Sequence, residues 1–142
     1  MQENLVDFWR RCPLSGGLYY HPADWPCLIS RNGRYVDTQP LDFGNILESS
    51  RFGKFNDTKF HLSSLPVRYT GDIKEDEIII LLLNPEFYLG EYWAETYSKE
   101  FRRRLEATLR RDFEGIRFPF LALDPEFSWH SAFSWWANSA VS

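Results

Sequence analysis

Residues 78–85 read Ile-Ile-Ile-Leu-Leu-Leu-Asn-Pro, an apolar run of strand length closed by a turn-forming pair. The run is β-branched at its start, and Lys74-Glu75-Asp76 precedes it. A strand apolar on both faces belongs inside a sheet covered on both sides, which usually means parallel neighbours. Downstream, Tyr97, Phe101, Leu105, Leu109 and Phe113 recur every four residues, so the spacing predicts a helix over 92–114 with one apolar stripe. Gly115 is placed to end it. Phe118 to Leu123 then reads as a second strand, leaving at Asp124-Pro125. Strand, helix and strand over this length make a right-handed βαβ crossover. The expected fold class is therefore α/β: a βαβ core at 77–127 with a small, parallel, helix-covered sheet.

Outward from that core the chain is less regular. Residues 1–76 read as an irregular half rich in loops. Within it lies a short helical pattern at 3–11, stopped by Pro13 and Gly16-Gly17. Residues 18–30, with Pro22 and Pro26, read as an irregular or edge segment, because Pro cannot serve a central strand. Asn32-Gly33 between Leu28-Ile29 and Tyr35-Val36 carries a hairpin signal. Residues 128–142 form an aromatic tail with Trp129, Phe133, Trp135 and Trp136. At 142 residues all of this fits a single domain able to bury a core without metal or disulfide staples.

Composition narrows the function classes. A net charge of −4 argues against a general affinity for polyanions. Cys12 and Cys27 lack metal-ligand or redox spacing, and the first residues lack a secretion signal, which together read as a cytoplasmic protein with reduced thiols. The run at 78–83 is too short to span a bilayer. His21, His61 and His130 are scattered, so no metal is expected, and neither a phosphate loop nor a Gly-x-Ser-x-Gly elbow is present. Arg102, Arg103, Arg104, Arg110 and Arg111 crowd the helix, but Glu100, Glu106, Asp112 and Glu114 interleave with them, and the face reads as self-paired. An aromatic content of 18% demands either a ring-filled core or a stacking or docking surface.

The candidate site is a repeated strand exit. Leu81-Leu82-Leu83-Asn84-Pro85-Glu86-Phe87 is echoed by Leu121-Ala122-Leu123-Asp124-Pro125-Glu126-Phe127. In a parallel sheet both exits share the carboxyl edge, where open α/β sheets bind ligands. Asn84 and Asp124 are the candidate catalytic residues. Glu86, Phe87, Phe127 and Trp129 are the candidate substrate contacts. The structural alternative is that Asn and Asp before Pro simply start turns.

Pro66-Val67-Arg68-Tyr69-Thr70-Gly71-Asp72, the apolar strand and Leu83-Asn84-Pro85 together resemble the first motif of the uracil-DNA glycosylase superfamily. The resemblance covers residues 66–127. It implies a DNA N-glycosylase, a hydrolase needing no cofactor, that flips a damaged base from nucleic acid. Asn84 would position the attacking water and Phe87 would stack on the base. Glu86 stands where the family carries Gly, and no segment matches its second motif. The resemblance thus implies a divergent, shortened relative with impaired catalysis. The alternative is a non-catalytic interaction module or small structural subunit. It would meet a second copy or another protein through the aromatic tail and sheet edge.

Overall fold

The computed structural model describes residues 4–30, 36–38, 44, 48, 59–66, 70–75, 77 and 89–139. The chain has an α/β fold of short helices and a small two-stranded parallel sheet. It divides into two compact units, Met1–Pro66 and Val67–Ser142.

In the first unit, α1 spans Leu5–Arg10, and the Asn4 side chain caps it by accepting the Asp7 amide at 3.0 Å. A 3₁₀ turn at Pro22–Asp24 runs into α2, Trp25–Ile29. This corrects the irregular reading of 18–30 over residues 22–29, while 18–21 are irregular as expected. Both prolines sit in the first turn of a helical segment, where no backbone N–H is required and a fixed φ suits the helix. It also removes the expected hairpin, since Leu28 and Ile29 are helical; Asn32-Gly33 lies outside the described residues. The sheet pairs β1, Val36–Asp37, with β2, Phe60–His61, in parallel, with Val36 opposite Phe60 and Asp37 opposite His61. Leu62 extends the pairing by donating to the Asp37 carbonyl and accepting from the Tyr19 amide. Val6, Trp9, Cys12, Tyr19, Leu62 and Leu65 form the buried core of this unit.

The second unit is helical among the described residues. The helix expected over 92–114 is two helices, α3 (Leu89–Tyr97) and α4 (Lys99–Arg110). Ser98 breaks them: its backbone is extended, and its hydroxyl accepts the Phe101 amide at 3.2 Å to cap α4. Phe101, Leu105 and Leu109 keep the stripe and are buried, whereas Tyr97, on the far side of the break, is exposed. At the other end α4 stops at Arg110, earlier than Gly115. Arg111 takes the left-handed conformation (φ 52°) and donates to Thr108, while the Asp112 amide reaches back to Ala107. That is a Schellman stop with arginine where glycine is usual.

The second expected strand is not formed. Leu121–Leu123 is a 3₁₀ turn followed by another at Pro125–Phe127. Pro119 removes a ladder donor. The Phe118 carbonyl, which a neighbouring strand would have used, accepts from the Arg104 guanidinium instead. The first expected strand, Ile78 to Leu83, lies outside the described residues. The parallel pairing therefore occurs in the amino-terminal unit, between segments separated by residues 38–59, and not around 118–123. The chain's last helix, α5, spans Ser131–Ser139 and packs against Leu121–Leu123. No described helix is long and apolar enough to cross a membrane.

Candidate functional site

Asp124 does two structural jobs. Its Oδ1 accepts the Glu126 amide at 3.0 Å, capping the Pro125–Phe127 turn, and its Oδ2 accepts from Arg104 Nη2 at 2.6 Å. Both side chains of the pair are 7% exposed, so the ions are out of water and bound to one another. The guanidinium also lies 5.6 Å from the centre of the Phe127 ring. Asp124 was expected as a polar group on an open edge; the fold instead spends both oxygens holding a turn against α4.

The neighbouring candidates divide. Glu126 is exposed at the turn. Phe127 is fully buried, edge-on to Phe101 at 5.4 Å, and cannot offer a stacking face to a ligand. Trp129 is half exposed. Asn84, Glu86 and Phe87 lie outside the described residues, so the paired strand exits are not brought together among those described.

Around Trp129 the structure gathers rings. Trp129 meets Trp93 of α3 edge-on at 5.8 Å, and Trp93 lies 5.7 Å from Tyr97. Trp93 is 43% exposed, Tyr97 57% and Trp129 50%, so this is a surface cluster and not an edge of the core. Beneath it Phe101 touches Trp129 at 6.0 Å and stacks on His130 at 5.0 Å, which anchors the outer rings. Trp135 of the tail is also exposed, while its neighbour Trp136 packs edge-on against Phe120. Sequence reasoning passed over Trp93. The signal was available, since Trp93 and Tyr97 stand four apart and share a helix face.

Most arginines on α4 and at its end are paired with carboxylates on the same or neighbouring segments. Arg102 binds Glu95 and Glu106, both at 3.0 Å, Arg103 binds Glu100, and Arg111 binds Asp72 and Glu75. The Arg103 hydrogen bond holds Glu100 below the usual carboxylate range. Glu91 behaves oppositely: burial, with the nearby Glu95 charge adding to it, pushes its carboxyl up to about 7. On α3 a carboxyl that holds its proton up to about pH 7 therefore sits one turn from a buried carboxylate paired with Arg102. Among the described residues no cluster of three His, Cys, Asp or Glu could hold a metal, and Cys12 and Cys27 are thiols not joined in a disulfide.

No protein-family model, curated protein or solved structure matches this chain.

Proposed function

We propose that the chain is a non-catalytic association module whose carboxyl-terminal unit docks on another protein through Trp93, Tyr97 and Trp129. One observation carries the reading: Trp93, touching Tyr97 on one side and Trp129 on the other, links three large rings that stand 43–57% exposed above a packed aromatic base. Rigid aromatic anchors of this kind dominate protein interfaces, because each covers a large area at little entropic cost. Two further features agree with it. Asp124 and Phe127 serve the fold. Arg102, Arg103, Arg104 and Arg111 each bind a carboxylate, which leaves those guanidinium groups little call for phosphate.

The test places a photo-crosslinking phenylalanine analogue at Tyr97 in the full chain, with exposed Glu114 as the control position. Discrete adducts at Tyr97 that disappear when Trp93 and Trp129 are both alanine are the expected result. A central tryptophan is worth about 2 kcal/mol, so each single alanine variant should weaken association about thirtyfold. Tyr97 crosslinking no better than Glu114 would overturn the reading. So would release of uracil from an oligonucleotide that is lost in Asn84→Ala, because that result would restore base excision as the activity.

A further inference from the structure

His130 sits at the start of α5 with its ring buried, stacked on Phe101 at 5.0 Å and edge-on to Trp129 at 5.7 Å. Its Nδ1 accepts the Ala132 amide at 3.2 Å and so serves as the amino-terminal cap of the helix. An accepting Nδ1 carries no proton, so the neutral ring must hold its proton on Nε2. That Nε2 is buried and has no hydrogen-bond partner among the described residues. The ring therefore stays in place by stacking and by one bond that requires it to be neutral. The same arrangement occurs in the other unit, where His21 Nδ1 accepts the Ala23 amide at 3.1 Å, its Nε2 is also unpartnered, and its ring stacks on Phe8 at 3.5 Å.

We propose that His130 is an acid-sensitive latch on α5: adding a proton at Nδ1 sets N–H against N–H at the cap and releases the helix. The release would free Trp136 from Phe120, which precedes the Leu121–Leu123 turn on which α5 packs.

The surroundings offer an imidazolium little compensation. α5 itself bears no charged residue. On α4, Arg104 is bound to Asp124, Arg103 to Glu100, and Arg102 to Glu95 of α3 and to Glu106. Glu126 of the adjoining turn is exposed. The Phe101 face attracts a cation, but the same face keeps water from solvating it. Burial accordingly lowers the His130 pKa below the ordinary 6.5. The sign follows from linkage: above 6.5 neither the closed nor the open form holds the proton. Below it the open form takes the proton first, so opening is favoured as the pH falls.

The experiment is an NMR titration of the full chain with labelled imidazoles, read alongside hydrogen-exchange protection of the Ala132 and Leu105 amides. The expected result is the Nε2-protonated tautomer at neutral pH. Ala132 protection should then fall about tenfold per pH unit below the ordinary imidazole value, while Leu105 in α4 holds its protection. His130→Asn supplies a cap that does not titrate, and in it Ala132 protection should stay level over the same range. An Nδ1-protonated tautomer would overturn the proposal, as would Ala132 protection that varies less than about twofold across that range. Loss at Leu105 in step with Ala132, or the same profile in His130→Asn, would equally overturn it.

Discussion

Replacing Asp124 by alanine removes a cap and strands a buried cation in one step. The cap on the Glu126 amide is worth about 1 kcal/mol. Breaking a buried ion pair from one side costs about 3–5 kcal/mol, because the remaining charge can neither reach water nor find a partner. Arg104 keeps the Phe118 carbonyl and the Phe127 ring, which places this case at the lower end of that range. Asp124→Ala should therefore destabilise the carboxyl-terminal unit by about 4 kcal/mol in all. Asp124→Asn retains an amide oxygen for the cap and loses only the charge, so it should cost about 3 kcal/mol. Arg104→Met leaves the carboxylate stranded and should cost about as much. The double variant, Arg104→Met with Asp124→Asn, buries no charge and should fall short of the summed singles by at least about 2 kcal/mol. Urea unfolding followed by exchange at α4 amides isolates this unit from the other. At a slope of about 2 kcal/mol per molar, Asp124→Ala should lower the midpoint by about 2 M. An alanine variant costing less than about 1 kcal/mol, or singles that simply add, would refute the description of Asp124 as a structural anchor.

Two further outcomes follow from the same helices. Glu91 holds its carboxyl at about 7 when folded against an ordinary 4.5, so the folded state binds the proton more tightly. The stability this provides is full below 4.5 and is lost as the pH rises through 7, on the order of 3 kcal/mol. Glu91→Gln should flatten that slope and outlast the parent chain in urea at pH above 7; equal slopes in the two chains would exclude the effect. Arg111 combines a left-handed backbone with bonds to Asp72 and Glu75, so its substitutions should separate the two roles. Arg111→Ala loses the bonds and keeps the strain, whereas Arg111→Gly loses both, and glycine should melt several degrees higher than alanine. Equal melting temperatures would show that the backbone there is unstrained.

How much of this could be read from the residues depends on the range of the interaction that decides each feature. The stripe of Phe101, Leu105 and Leu109 is a local repeat, and the fold buries all three as the spacing predicts. The pairing of arginines with glutamates on α4 is local too. Ser98 looks like an ordinary surface residue of one long helix; only its extended backbone makes it a cap, and that single break turns Tyr97 out of the core. The failed strand at 118–123 has a cause 14 residues upstream, where Arg104 takes the Phe118 carbonyl. The sheet found among the described residues joins segments with no periodic signal at all, two residues from each side.

Asp124 makes the same point about function. An aspartate before proline at the end of an apolar stretch is what a ligand-binding edge would supply and equally what a turn requires, because both use a short carboxylate that reaches a nearby N–H. Composition cannot separate the two uses. The deciding group is Arg104, 20 residues away in the chain, whose guanidinium binds the Asp124 oxygen that does not cap the turn. The exposed rings escape this ambiguity for a physical reason. A carboxylate is stable either in water or in a pair, but a large aromatic surface facing water is unfavourable wherever it stands. The exposure of Trp93, Tyr97 and Trp129 therefore supports the proposed docking surface in a way that the polar exit residues do not.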